Sequence, residues 1–382
     1  MSSHNPLLGV VRAALLVSTA IALPTFAQAE TPAPVMSQQD YDHIAPYLPR
    51  FGRTRPIVAI VGENSGTELA DFFIPYGVIT RSGAADVMTL ATQTGPLKMT
   101  PALTIQPDAT VAEFDAKYPD GADYVIVPAV TKNSDPTLVA WIALQGAKGA
   151  TIISICDGAF VVANSGLMKG RRATAHWASQ GFRHKTHPEV NWIKNVRYVV
   201  DGRVVSSAGI SAGMPTALAL VEAIAGHEAA SNEARTLGVA DWSTKHNSEI
   251  FEPRVGVNLY PLIAVNFTNT WFRTRDSVAV PVTNGVDEIA LGFTVDAWSR
   301  TGLSHAYAEA ESLQPITSRY GLTILPDRVR GTGEPIDQTL PVFGDENAMQ
   351  ALNNALAGIA KRYGRSTAYG VALDLEYPGF QK

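Results

Sequence analysis

From Pro56 onward, short β-branched runs alternate with longer segments of helical period. Ile57 to Val61 reads as an opening strand that is apolar at every position, as a strand covered on both faces must be. Glu68 to Gly83 follows as a helix, Asp86 to Ala91 as a second strand, Tyr124 to Val127 as a third closed by Pro128, and Pro136 to Gly146 as a helix. Thr151 to Ile155 is a strand that runs straight into Cys156, after which Gly158 to Gly166 is helical. Arg172 to His176, Val196 to Val200 and Val204 to Ser206 read as short strands. Pro215 to Ala225 is a helix with proline at its start, where the missing N–H does least harm. Successive βαβ units of this kind predict an α/β domain over residues 56–247, a parallel sheet sandwiched by helices.

The pattern then returns. IVAIVGENSGTELADFFIPYGVITRSG, from Ile57, aligns with SVAVPVTNGVDEIALGFTVDAWSRTG, from Ser277, after a one-residue slip in the first loop. Gly66 pairs with Gly285, Arg81 with Arg300 and Gly83 with Gly302, and LTIQPD at Leu103 pairs at the same offset with LTILPD at Leu322. Matching that persists at one offset predicts duplication of a structural unit. Residues 277–382 are therefore expected to be a truncated, degenerate second copy, with a helix from Asp345 to Tyr363 and a strand from Thr367 to Leu373, reached through a linker at 248–276. This copy stops short of a second cysteine.

Composition narrows the class. Hydrophobic residues make up 46% and charged residues 17% of the 382-residue chain, which excludes disorder as the dominant state. Lys+Arg 30 against Asp+Glu 35 leaves a net charge of −5, with no basic cluster longer than Arg171-Arg172, so a nucleic-acid partner is not expected. Residues 1–29 read as a secretory signal: Arg12, an apolar stretch from Ala13 to Leu23, Pro24, then Ala27-Gln28-Ala29 before Glu30. The apolar stretch is shorter than the ~20 residues of a membrane span. The expectation is a periplasmic or secreted protein starting at Glu30, with an N-terminal extension over 30–55 and no stable membrane span after signal cleavage; an uncleaved N-terminal anchor is the alternative.

Cys156 is the single cysteine. A lone thiol cannot form an internal disulfide, and in an oxidising compartment it is either buried or used. In SICDGAF it stands between a strand and a helix, with the small Ser154 two residues before and Gly158 two after, the arrangement of a nucleophile elbow. A helix N-terminus beside the sulfur predicts a lowered thiol pKa. His184 and His187 have metal-ligand spacing, but no other ligand cluster accompanies them, so no metal is expected.

ISICDGAFVVANSGLMKGRRATAHW, Ile153 to Trp177, resembles the ThiJ/PfpI family of the class I glutamine amidotransferase-like superfamily, in particular isonitrile hydratase and the amidase-like domains of AraC-type regulators. The resemblance spans about Ile57 to Gly226. It implies a flavodoxin-like fold with the cysteine on the elbow and an acid of the first helix bonded to the sulfur. That acid lies four residues before the family's helix proline, so Pro75 points to Asp71; spacing alone leaves Asp71 an ordinary first-turn acid. Its counterpart in the second copy is Ala290. His176 matches the family's histidine near the cysteine and is read as a general base or a structural group.

The implied activity is that of a cysteine-dependent hydrolase or hydratase acting on a small molecule, without a cofactor. Backbone N–H groups at Asp157 and near Ala129, with Gly158 in the turn, would hold the developing anion. The alternative is a small-ligand-binding or redox-sensing module with an oxidisable cysteine. Departures from the family are Asp157 in place of threonine, Pro128-Ala129-Val130 in place of Pro-Gly-Gly, and Pro215 in place of an acid. The helix-turn-helix pair of an AraC-type regulator is missing from the second half, whose fusion suggests an intramolecular pseudo-dimer.

Overall fold

The computed structural model describes residues 42–341 and 346–381. The expected signal, residues 1–29, lies outside the described residues, as does the first part of the extension at 30–55. In chain order the first elements are β1 (Ile57–Gly62), α1 (Leu69–Ser82), β2 (Asp86–Ala91), the hairpin β3 (Leu97–Thr100) and β4 (Thr104–Gln106), and β5 (Ala109–Thr110). They are followed by β6 (Tyr124–Val127), α2 (Pro136–Ala147), β7 (Thr151–Ser154), α3 (Ala159–Asn164), β8 (Tyr198–Asp201), β9 (Val204–Ser207) and α4 (Gly213–Ala225). The bounds of α1 follow from its ends: the Glu68 side chain accepts from the Asp71 N–H, and Gly83 takes φ 66°, a left-handed cap that glycine adopts without strain.

Apart from the hairpin, these strands form a 7-stranded sheet in the order β8-β9-β7-β6-β1-β2-β5. All neighbours run parallel except β8 on β9. The run β2-β1-β6-β7-β9 is the flavodoxin-like order, whose strand order reverses between β1 and β6. Side chains alternate between faces as the pleat requires. Val58 and Ile60 enter one core with Phe72 and Phe73, while Ala59 and Val61 enter the other with Leu138 and Trp141. The segments after β1, β6 and β7 carry Asp71, Ala129 and Cys156, so the topology brings these residues to the carboxyl edge of the sheet.

The second half contains β10 (Asp276–Pro281), α5 (Glu288–Ser299), β11 (Ser304–Ala310), the hairpin β12 (Ile316–Thr317) and β13 (Thr323–Leu325), β14 (Arg328–Val329) and β15 (Gln338–Thr339). Its parallel sheet has the order β14-β11-β10-β15. This is the element order and pairing of β5-β2-β1-β6. Two contacts join residues that the sequence alignment pairs. β4 and β13 run antiparallel with Ile105 opposite Ile324, and α1 meets α5 where a Cβ on Gly292 would lie 3.0 Å from Phe73 Cβ. Val278, Leu291, Trp298 and Leu356 share one core with Val58 and Phe73, and the described residues form one compact unit. The two halves are thus not separate globules.

Two expectations change. Residues 248–276 are folded rather than a bare connection: Leu259–Ile263, Ala264–Thr268 and Asn269–Phe272 are successive helical segments that bury Leu262, Ala264 and Val265. Thr367 to Leu373 is helical, not a strand. The chain forms α6 (Ala348–Tyr363) and, after Gly364 at φ 93°, α7 (Arg365–Asp374). Ala368, Val371, Ala372 and Leu375 are buried at helical spacing, and Gly370 lets α7 close on the Pro261 carbonyl, 2.6 Å from where a Cβ would stand. Alanine and glycine in TAYGVAL are there for close helix packing, which a period-2 reading misses.

Candidate active site

Cys156 follows β7 at φ 55°, a left-handed conformation that a side-chain-bearing residue rarely holds outside functional turns. Its N–H donates to Ser207 Oγ at 3.2 Å, tying the elbow to β9. The next turn, Cys156–Gly158, is a 3₁₀ turn closed by the Gly158 N–H on Ile155 O at 2.9 Å. A Cβ at Gly158 would collide with the Val127 carbonyl, so glycine is what allows the turn to sit against β6. The side chain is not lifted into solvent; Cys156 is 5% exposed.

Asp71, in the first turn of α1, is fully buried. Its Oδ2 accepts from the Ala129 N–H at 3.0 Å, and its Oδ1 has no hydrogen-bond partner. Its pKa is pushed well up, first by burial and then by the neighbouring Glu68 carboxylate. The acid expected to bond the sulfur therefore spends one oxygen on Ala129 and leaves the other open. Ala129 is likewise committed, its N–H to Asp71 and its carbonyl to the Glu68 N–H at 2.8 Å. Ala129 does not offer the oxyanion donor that the sequence reading assigned to it.

The thiol pKa moves opposite to the expectation. Burial pushes Cys156 well up, and Asp71, Asp157 and Glu68 push it further; the Asp157 N–H bonded to the sulfur pulls the other way with less effect. A 3₁₀ turn and a six-residue α3 make a weak dipole, and it faces carboxyl groups in a site closed to water. Cys156 is a protonated thiol at neutral pH.

His176 Nε2 lies 2.9 Å from Asp374 O, and Nδ1 accepts from the Ala178 N–H at 3.3 Å. Facing a carbonyl, Nε2 carries the proton. Both ring nitrogens are occupied, one capping the Trp177–Ser179 turn, so the general-base reading gives way to a structural one. Asp157 is partly buried, desolvation raises its pKa, and its Oδ1 accepts from Ser179 Oγ at 2.7 Å. Ser179 Oγ in turn accepts from Arg183 Nη1 at 3.1 Å. Asp157 thus turns away into a network with Ser179 and Arg183. His184 is exposed, and His187 Nδ1 lies 3.3 Å from Glu189 Oε1.

Sequence reasoning missed the groups that the second half brings. Arg300 reaches Glu68 Oε1 at 2.5 Å, Asp296 Oδ1 at 2.8 Å and Asp374 Oδ2 at 2.8 Å. Its counterpart Arg81 lies 2.9 Å from Glu233 and 4.0 Å from Asp287, the acid that caps α5 as Glu68 caps α1. Glu376, at φ 57°, accepts from the Gly209 N–H and sits 2.9 Å from His246 Nε2. Ser211 Oγ donates to Glu376 O at 2.7 Å, and Trp177 Nε1 donates to Leu373 O at 3.1 Å. Pairing Arg81 with Arg300 was the available signal for the first of these; nothing local in the sequence marks Glu376.

Residues 57–223 match the DJ-1/PfpI family. They form a DJ-1/PfpI domain. The chain is 27% identical over 161 residues to an isonitrile hydratase of Pseudomonas putida, a match covering 41% of this chain and 67% of that protein. It is 33% identical over 86 residues to the HTH-type transcriptional regulator CdhR of Pseudomonas aeruginosa, covering 22% of this chain and only 25% of that regulator. Among solved structures, Drosophila melanogaster DJ-1beta aligns with 22% identity and a TM-score of 0.45, covering 49% of this chain and 100% of that one. A DJ-1 superfamily protein from Salmonella typhimurium aligns with 24% identity and a TM-score of 0.44, with the same coverage. The DJ-1/PfpI domain holds Cys156, Asp71, Asp157 and His176, whereas Arg300, Asp374 and Glu376 come from outside it. Among the described residues no group of His, Cys, Asp and Glu is arranged to hold a metal, and no helix is long and apolar enough to cross a membrane.

Proposed function

We propose that the DJ-1/PfpI domain is a cysteine-dependent hydrolase or hydratase acting on a small electrophile, with Cys156 as nucleophile and Asp71 as proton carrier. The observation that carries this reading is the left-handed Cys156 at a strand-to-helix turn near a buried Asp71 whose pKa is raised by burial and whose Oδ1 is unpartnered. The sulfur adds to an electrophilic carbon such as that of an isonitrile, and the thiol proton passes through Asp71 to the substrate. Water then attacks the thioimidate or thioester, breaks the carbon–sulfur bond and restores the thiol. A protonated thiol suits this chemistry if bond formation and proton transfer are concerted, because no free thiolate accumulates among the surrounding carboxyl groups. The Asp157 N–H, bonded to the sulfur, is the donor at the reacting centre. Turnover of an isonitrile, amide and dicarbonyl panel tests the reading: activity abolished in Cys156→Ser supports it, and no turnover of any member opposes it.

The unpartnered Asp71 Oδ1 also favours a second reading, a redox sensor in which protonated Asp71 donates to a Cys156 sulfinate. Peroxide-driven sulfinate formation without turnover separates it from the first. The reading of the second half is a fused, chemically silent pseudo-partner. It is supported by the Ile105–Ile324 pairing, the reciprocal use of Arg81 and Arg300, and Ala290 in the place of Asp71. Export, with a mature start near Glu30, completes the proposal; N-terminal sequencing of protein from the cell envelope decides it, and recovery in the cytosol with Met1 intact opposes it.

A further inference from the structure

An apolar stripe on the helical segment between the halves has no partner among the described residues. Tyr260, Ile263, Phe267 and Trp271 are exposed on one side of the successive helices Leu259–Ile263, Ala264–Thr268 and Asn269–Phe272, while Pro261, Leu262, Ala264 and Val265 are buried on the other. Tyr260 is 71%, Phe267 62% and Trp271 78% exposed. Val255 and Val257, just before the helix, are exposed as well. A π-turn, in which the Asn269 N–H reaches back to Ala264 O, resets the helical phase between Phe267 and Trp271 and keeps both outward. Large aromatic side chains in a continuous exposed row mark an interaction surface in a water-soluble fold.

The charge around the stripe selects its partner. From Pro253 to Arg275 the chain carries Arg254, Arg273 and Arg275 and no Asp or Glu, in a protein whose net charge is −5. Among the described residues, Arg273 and Arg275 are exposed and neither is held in an ion pair. Tyr and Trp have an apolar body and a polar tip, which suits them to the boundary between headgroups and acyl chains, and arginines at the ends suit anionic headgroups. The helix is about 20 Å long at 1.5 Å per residue, enough to lie in the plane of a bilayer surface.

We infer that residues 253–275 dock the protein on anionic lipid bilayers, with Tyr260, Ile263, Phe267 and Trp271 inserted at the headgroup boundary and Arg254, Arg273 and Arg275 on the lipid phosphates. The inference is independent of the reaction at Cys156.

Co-sedimentation of the full chain with vesicles of equimolar phosphatidylglycerol and phosphatidylcholine, against pure phosphatidylcholine, tests it. Every variant keeps the apolar stretch Ala13 to Leu23, so any lipid affinity of that stretch is common to all. The Phe267→Ser/Trp271→Ser double variant should bind anionic vesicles roughly tenfold or more weakly, the effect of withdrawing two aromatic side chains from the apolar boundary. Arg273→Ser and Arg275→Ser should each weaken binding roughly fivefold and reduce the preference for anionic lipid. Trp271→Phe should retain binding while losing most of the tryptophan quenching by brominated lipid. Binding that is the same in the native and double-variant chains overturns the inference. So does self-association in sedimentation that depends on the stripe and occurs without lipid binding, which would make a second copy the partner.

Discussion

Arg300 Nη2 lies 2.5 Å from Glu68 Oε1, joining a side chain of the second half to the residue that caps the helix carrying Asp71. The same guanidinium holds Asp296, whose side chain is fully buried, and Asp374 beside the His176 contact. The second half therefore fixes the first turn of α1, which carries Asp71.

Arg300→Met should leave these carboxylates without their cation and destabilise the protein by about 3 kcal/mol, the usual result of removing one partner from a largely buried ion pair. Arg300→Lys keeps the charge but not the fork and should recover only part of the loss. Denaturant unfolding of the two variants measures both. A change under about 0.5 kcal/mol in Arg300→Met would show that the network is solvated.

Alkylation of Cys156 should be slow at neutral pH and keep rising with pH past ~8.5, where an unperturbed thiol is half-ionised. The raised thiol pKa has a linked sign. The folded protein holds this proton more tightly than the unfolded chain, so its contribution to stability is present below the unfolded thiol pKa and is lost as pH rises. A plateau in the alkylation rate below pH ~8 would contradict the raised pKa.

Asp71→Asn keeps an oxygen for the Ala129 N–H but removes the transferable proton, so turnover should fall roughly 100-fold with little change in stability. Asp71→Ala removes the acceptor too and should also cost about 1–3 kcal/mol for the unpaired N–H. Steady-state kinetics on the best substrate of the panel, with thermal unfolding of both variants, separates the two effects. Equal turnover in the native protein and Asp71→Asn would move the proton-carrier role to another group.

Glu288, buried in the first turn of α5, has its pKa pushed up to about 7 by burial. The folded state then binds a proton that the unfolded chain releases near pH ~4.5, so this carboxyl's contribution to stability is lost as pH rises from ~4.5 to ~7. Glu288→Gln should flatten that part of the stability profile and gain on the order of 3 kcal/mol relative to the native protein at neutral pH. Urea unfolding at several pH values checks it; a profile of unchanged slope in the variant would assign the dependence elsewhere.

Much of the DJ-1/PfpI domain was legible because its strands are buried on both faces and read as unbroken apolar runs, and because Ser154, Cys156 and Gly158 mark a turn that tolerates little else. The ends of α1 were legible for a similar local reason, an acid at Glu68 and a glycine at Gly83. What stayed hidden depends on contacts far apart in sequence. The thiol pKa follows from burial of the site, Asp71 and Glu68, and the role of His176 from Asp374 O, 198 residues away. The dipole argument at Cys156 failed because one turn of helix is weak against burial and the carboxyl groups of Asp71 and Glu68; Asp157, the carboxylate legible beside the cysteine in the sequence, acts in the raising direction. Thr367 to Leu373 failed because close packing on Pro261 selects small residues whose periodicity is weak.

The antiparallel ladder between Thr104–Gln106 and Thr323–Leu325 has both strands on one polypeptide. In an association of separate chains such a ladder dissolves on dilution, whereas a tethered partner is present at an effective concentration on the order of millimolar at any protein level. Dilution therefore does not strip Arg300 from Glu68, and the surroundings of Cys156 are the same in a single molecule as in a concentrated solution. At low abundance the protein would keep the surroundings of Cys156 without having to find a second copy of itself.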